Sequence, residues 1–493
     1  MTPETSTEMT TIPDTAPDAL ETLLARAETA SDRWARTGRS ARAAVLTSIA
    51  DRLDAGADEL VPIAVRETHL TEARLLGELT RTTFQLRLFA EVLRDGGYLD
   101  ARIDHADPAW PMGARPDLRR ILEPLGPVVV FAASNFPFAF SVAGGDTAAA
   151  LAAGCAVIVK AHPGHPELSA RTGELIREAL AATGAPGGIL DVIHGDEAGR
   201  IALTDPRVKA ASFTGSIQGG RALFDLANSR PEPIPFYGEL GSVNPVFVTK
   251  AADAARAEEI ARQFLASMTL GAGQFCTKPG VLLVPHDSPI PHVLRDLAPP
   301  APAALLNARI QRGYTDVLGD LLAHPDVTLI TSADGAFADP PTPTVLTVDI
   351  DAVLRAREEL FRECFGPTGI VVTYRDERQL LDFAAAIDGQ LTATLMGQGD
   401  ENYLPELVRL LARRAGRLLW NQWPTGVSVT YAQHHGGPYP ATTAAGTTSV
   451  GTAAITRFLR PVAYQGFPLD LLPHELTDTP TQNVPRLIDG RLG

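Results

Sequence analysis

Apolar residues recur at intervals of three and four from Asp18 to Leu93. Examples are Leu20, Leu23 and Leu24, then Phe84, Leu88 and Val92 beside Leu86, Phe89 and Leu93. That period predicts an all-helical opening layer, with Gly38, Gly56 and Gly77 dividing it into separate helices. Residues 1–17 read as a flexible tail ending at Pro17. Between 101 and 124, Pro108, Pro111, Gly113 and Pro116 break the helical pattern, and Arg119 to Pro124 reads as a strand edge. A projecting arm that serves oligomerisation and an ordinary surface loop both fit this segment.

From Gly126 the pattern changes to short apolar runs separated by helical stretches. Strands are expected at Val128–Phe131, Ala156–Val159, Ile189–Ile193, Val208–Phe213 and Ile234–Tyr237. Helices are expected over Ala139–Ala153, Pro166–Ala182, Glu197–Leu203 and Ser216–Asn228. Runs of this kind predict a parallel sheet with crossover helices, a doubly wound Rossmann-type domain that binds ligands beyond its C-terminal strand ends. A second α/β region follows: strand Asn244–Val248, helix Ala251–Leu270, strand Gly280–Pro285, a loop over 286–303, then strands at Gly369–Tyr374 and Arg417–Trp420. His434 to Gly451 is a long Gly-, Pro-, Thr- and Ser-rich loop, of a kind that usually carries function or supports an interface. The resulting division is 1–100 with 125–240 for a cofactor domain, 241–450 for a catalytic domain, and 101–124 with 451–493 for an arm and C-terminal segment.

The net charge of −15 argues against nucleic acid and against a basic membrane patch, while leaving room for an acidic small substrate. No uncharged apolar stretch of membrane-spanning length and no signal-peptide pattern is seen. Three cysteines without a CxxC pair fit a reducing compartment, so the expectation is a cytoplasmic protein with no Cys-based metal site. Lysine is scarce: Lys160, Lys209, Lys250 and Lys278 stand against 39 arginines. A retained lysine is a weak sign of a task that arginine cannot do.

Candidate chemistry centres on Gly271-Ala272-Gly273-Gln274-Phe275-Cys276-Thr277, a turn-forming loop that can present a thiolate nucleophile. Asn135, just past the Val128–Phe131 strand, can donate to an oxyanion. Lys160 ends the next strand and can meet a phosphate or ribose. Gly215, Ser216 and Gly220 form a strand-to-helix turn suited to a diphosphate. Glu239 lies between glycines, and partial burial is expected to raise its pKa toward that of a general base. A structural thiol, a turn asparagine, an edge lysine, a plain turn and a solvated glutamate are the separate bland readings.

In this order on one sheet, the motifs resemble the aldehyde dehydrogenase superfamily over nearly the whole chain. The resemblance implies Cys276 as nucleophile, Asn135 as oxyanion donor, Glu239 as general base and Lys160 as the cofactor lysine, with Gly215, Ser216 and Gly220 at the cofactor turn. Glu363-Cys364-Phe365-Gly366-Pro367 is similar to the E-x-F-G-P motif, which implies Glu363 on the nicotinamide ribose and Phe365 packed beside it. Three stretches look closest to the α-ketoglutaric semialdehyde (2,5-dioxopentanoate) dehydrogenases: Ser134–Thr147, Lys160–Pro163 and His435–Ile455. The substrate implied is 2,5-dioxopentanoate and the product 2-oxoglutarate. Pro163 stands where many NAD-preferring members carry Glu, so NADP is expected, aided by Lys160 and His162, with NAD as the alternative. The assembly implied is a homodimer or homotetramer.

Three other readings remain open. One is a fatty or aromatic aldehyde substrate, suited by Phe136, Phe138 and Phe140. The others are acyl transfer to coenzyme A and a catalytically silent nucleotide-binding protein. No arginine stands out as the anchor for a distal carboxylate.

Overall fold

Four helices lead the chain: α1 (Pro17–Ala35), α2 (Arg39–Ala55), α3 (Ala57–Thr68) and α4 (Glu72–Asp95). The computed structural model describes residues 12–331, 333–480 and 484–492. Gly38 and Gly56 separate helices as expected, but Gly77 lies inside α4. Its Cβ position faces open space, and one exposed glycine costs a helix only about 1 kcal/mol. The break falls earlier, where His69 adopts a left-handed conformation and Thr71 caps α4. The described part of the expected tail is docked: Thr15 exchanges two hydrogen bonds of 2.9 Å with the His194 backbone. The rest of that tail, residues 1–11, lies outside the described residues.

Strands β1 (Ala101–Asp104) and β2 (Leu118–Pro124) form an antiparallel hairpin. The doubly wound unit then runs β3 (Val128–Phe131), α5 (Gly145–Ala153), β4 (Val157–Lys160), α6 (Pro166–Ala182), β5 (Leu190–Ile193), α7 (Asp196–Thr204), β6 (Ala210–Thr214), α8 (Ile217–Asn228) and β7 (Phe236–Glu239). All strand pairs in this unit are parallel, in the order β5-β4-β3-β6-β7. The order reverses between β3 and β6, so the crevice for a ligand opens at their C-terminal ends. The Ala139–Ala153 helix starts late, at Gly145. The preceding turns are held by buried Glu78 of α4, which accepts from the Phe138 and Ala139 N–H groups at 2.8 and 3.0 Å.

The second unit holds β8 (Val246–Val248), α9 (Lys250–Thr269), β9 (Val281–Pro285), α10 (Ile290–Asp296), α11 (Ala308–Ala323), β10 (Thr328–Leu329), β11 (Thr344–Asp349), β12 (Thr368–Tyr374), β13 (Gln390–Met396) and β14 (Ala415–Trp420). They build a sheet of order β10-β11-β12-β9-β8-β13-β14. Helix α10 corrects the loop expected over 286–303. Ile290 and Leu294 are buried against the sheet, and Ser288 donates to Asp253 of α9 while accepting from the Ile290 N–H. Finally β15 (Leu459–Gln465), β16 (Arg486–Ile488) and β17 (Arg491–Leu492) join the hairpin in a sheet of order β15-β2-β1-β16-β17. Among the described residues no helix is long and apolar enough to cross a membrane.

The segment after β14 returns to the first sheet. Glu239 bridges Thr442, the Leu240 N–H donates to Ala441 O at 2.8 Å, and the Gly238 N–H donates to Thr443 Oγ1 at 2.8 Å. This docking brings residues from late in the chain onto the end of β7.

Candidate active site

The loop before Cys276 is held in an uncommon shape. Gly271, Ala272 and Gly273 all have positive φ, at 57°, 56° and 70°. Only a residue without Cβ fits at Gly273, where a Cβ would lie 2.1 Å from Gly366 O. Two buried side chains fix the other end. Asn244 Nδ2 donates to Cys276 O at 2.8 Å and to Lys278 O at 2.9 Å. Lys278 Nζ donates to Cys364 O, Gly366 O and Thr368 O at 2.6, 3.2 and 2.7 Å. An ammonium with three N–H donors satisfies three carbonyls at one point, which a planar guanidinium does not. Its scarcity was therefore the only sequence signal for this role.

Sγ of Cys276 lies 3.5 Å from His435 Nε2, and that nitrogen donates to Glu239 Oε1 at 2.7 Å. Ser449 Oγ donates to Glu239 Oε2 at 2.5 Å. The reactive atoms of Glu239, Cys276 and His435 all lie within 4.8 Å of one another. Burial pushes the Glu239 carboxyl up, but His435, Ser449 and Cys276 outweigh it, and the net direction is down. That reverses the rise expected from burial alone. Burial and the Glu239 charge together push the Cys276 thiol well above its ordinary range. A thiol, an imidazole and a carboxylate so placed can pass a proton away from sulfur and later take one from water.

Asn135 is buried, and its Nδ2 donates to Gln274 O at 3.1 Å, so the amide faces the cysteine loop. His435 and Ser449 lie inside the stretch His435–Ile455 singled out from sequence, but without a role assigned to either. They lie 159 and 210 positions from their partners Cys276 and Glu239, respectively, and only the docked loop places them here.

At the switch point Lys160 ends β4, nearly buried, with Nζ 2.5 Å from Asp196 Oδ1. Ser216 caps the N-terminus of α8, accepting from the Gly219 N–H at 3.2 Å, and the first turn is exposed. Gly220 is buried against Leu240. Glu363 reaches under Gly241, where a Cβ would meet Oε2 at 2.5 Å. Burial pushes its carboxyl up to about 7. Phe365 follows, half-buried. An open helix N-terminus, a cation beyond a strand end and a carboxylate across the crevice fit a dinucleotide. His162 is held well below its ordinary range by burial, His165, Lys160 and Arg309. It is therefore neutral near pH 7 and adds no charge for a phosphate. Arg309, exposed in the first turn of α11, carries a charge that acts on both His162 and Asp196.

The aldehyde dehydrogenase family model matches residues 1–299. The chain belongs to the aldehyde dehydrogenase family. It is accordingly an aldehyde-oxidising oxidoreductase that uses a nicotinamide cofactor. Alpha-ketoglutaric semialdehyde dehydrogenase 2 of Azospirillum brasilense is 46% identical over 475 residues, covering 94% of this chain and 90% of that one. Alpha-ketoglutaric semialdehyde dehydrogenase of Acinetobacter baylyi is 42% identical over 468 residues, covering 93% and 89%. The solved structure of a 3,6-anhydro-L-galactose dehydrogenase in complex with NAP has the same fold. Its TM-score is 0.76 at 23% identity, with 92% of each chain covered.

Proposed function

We propose that this enzyme oxidises 2,5-dioxopentanoate to 2-oxoglutarate, with NADP preferred and NAD as the alternative, through a thioester on Cys276. The observation that carries the mechanism is the contact of His435 Nε2 with both Cys276 Sγ and Glu239 Oε1. The substrate rests on the two relatives above 40% identity, which span nearly the whole chain.

Cys276 releases its proton to solvent, and Sγ bonds to the aldehyde carbon, which leaves Glu239 ionised for the later step. The resulting oxyanion is met by Asn135 Nδ2 and the Cys276 N–H. A nicotinamide, when bound, would supply the hydride acceptor for the substrate carbon. Lys160, Gly215, Ser216, Gly220, Glu363 and Phe365 would hold that cofactor. Once the carbon is oxidised, the acyl group remains on Sγ. Glu239, oriented by His435 and Ser449, then takes a proton from water, whose oxygen attacks the thioester and frees Cys276. A retained carboxylate–imidazole pair beside the sulfur supports hydrolysis over transfer to coenzyme A, and supports a working enzyme over a silent one.

Pro163 and the charges of Lys160 and Arg309 support NADP. The three sheets support a division into cofactor, catalytic and arm regions, with the arm sheet as the proposed surface for a homodimer or homotetramer. Three free cysteines suit the cytoplasm.

The test follows reduced-cofactor absorbance with 2,5-dioxopentanoate, first with NADP and then NAD, beside a medium-chain aliphatic aldehyde and a Cys276→Ala control. Preference for the oxo acid, lost in the control, supports the reading. Preference for the aliphatic aldehyde retains the mechanism and removes the substrate.

A further inference from the structure

Three arginines surround Cys276. Arg74 of α4 packs its guanidinium over Phe136 and Phe275, at 5.0 and 4.8 Å from the ring centres, and donates to Asn135 O at 2.7 Å. Arg417 of β14 donates to Pro424 O and Gly426 O at 2.6 and 3.0 Å, and its charge acts on Cys276. Arg81, two turns along α4 from Arg74, differs from both. It makes no hydrogen bond and no ion pair with any described residue, although the charge of buried Glu78 acts on it; its Nη1, like Arg74 Nη1 and Arg417 Nε, is buried without a partner. A guanidinium in that condition is costly unless something else meets it.

Its position says what would meet it. The Arg81 guanidinium stands 5.5 Å from the Phe140 ring centre, and Phe140 packs against His435 at 6.4 Å. Arg81 is thus one aromatic ring away from the imidazole that touches Cys276, and its charge acts on both Cys276 and Glu239. An extended 2,5-dioxopentanoate puts four C–C bonds, roughly 5 Å, between its aldehyde carbon and its carboxylate.

We propose that Arg81 receives the distal carboxylate of the substrate and so selects an ω-oxo acid over a neutral aldehyde. This inference rests on the substrate reading above and deepens it. Phe140 shields the pair from water on one side. The charge of Arg81 also opposes that of Glu239, which would otherwise repel an anion arriving at the sulfur.

The test compares wild type, Arg81→Met and Arg81→Lys on 2,5-dioxopentanoate and on pentanal, and adds glutarate as an inhibitor of pentanal oxidation. Thermal unfolding of each variant monitors the fold. Arg81→Met should raise KM for 2,5-dioxopentanoate and lower kcat/KM about 10- to 100-fold, the range for a lost charged hydrogen bond. Activity on pentanal should fall much less than activity on 2,5-dioxopentanoate, glutarate inhibition should vanish, and Arg81→Lys should restore part of both effects. Equal losses on the two aldehydes, or glutarate inhibition unchanged in Arg81→Met, would overturn the proposal. If wild type does not prefer 2,5-dioxopentanoate, the substrate reading fails by itself. The glutarate measurement then still decides whether Arg81 is an anion site.

Discussion

Nε2 of His435 donates to Glu239 Oε1 at 2.7 Å while lying 3.5 Å from Cys276 Sγ. One imidazole nitrogen therefore couples the nucleophile to the carboxylate. Glu239→Gln removes the charge that helps hold the thiol protonated. Iodoacetamide should label Cys276 faster in this variant than in wild type at pH 8, read by mass spectrometry, while steady-state turnover falls about 100-fold. Slower labelling would mean that Glu239 acts on sulfur chiefly as a base.

His435→Gln keeps an N–H donor near the same point but cannot carry a proton. Its kcat should fall about 10- to 100-fold, with a rapid burst of reduced cofactor preserved in stopped-flow absorbance. Loss of the burst would place His435 in the attack step instead of thioester hydrolysis.

In the proposed role of holding the ribose, Glu363 works best ionised, and burial pushes its carboxyl up to about 7. Cofactor affinity, measured by nicotinamide fluorescence, should rise several-fold from pH 6 to pH 8, and Glu363→Gln should flatten the profile. Apoenzyme stability should run the other way. A carboxyl raised above its ordinary 4.5 contributes stability that is whole below that value and lost as pH rises through about 7.

Asp196 pairs with Lys160, and the Arg309 charge acts on Asp196. Arg309→Ala should lower kcat/KM with NADP about tenfold and leave NAD nearly unchanged. Asp196→Asn should shift the ratio toward NADP. A change of equal size with both cofactors would remove Arg309 from 2′-phosphate recognition.

Lys278→Met strands three buried carbonyls. It should cost about 3 kcal/mol, seen as a lowered thermal midpoint, and should slow Cys276 labelling as the loop slackens.

These cases separate what is legible in a sequence from what is not. The strand and helix alternation from Val128 to Glu239 is written in local periodicity, and the structure follows it within a residue or two at most ends. Cys276, Asn135 and Glu239 stand beside strand ends and glycine turns, where short motifs carry the signal. His435 and Ser449 were inside a recognisable loop, yet their roles depend on a contact made across half the chain. Arg81 sits among ordinary helical arginines, and its place beside Phe140 without a hydrogen bond is visible only in the structure. The direction of the Glu239 shift was missed because burial is guessable from a motif, whereas three converging donors are not. Gly77 and α10 show the weaker side of composition: a glycine need not stop a helix, and a proline-rich run can contain one.

The docking of the late loop on β7 has a consequence for synthesis. A nascent chain leaving the ribosome displays Asn135, Glu239 and Cys276 well before His435 and Ser449 emerge. Until then the thiol lacks its imidazole, the carboxylate lacks two of its donors, and the end of β7 lacks its cover. Reactivity toward aldehydes thus arrives last, together with the contacts that close the fold, and an interrupted translation product carries the nucleophile without the means to turn over.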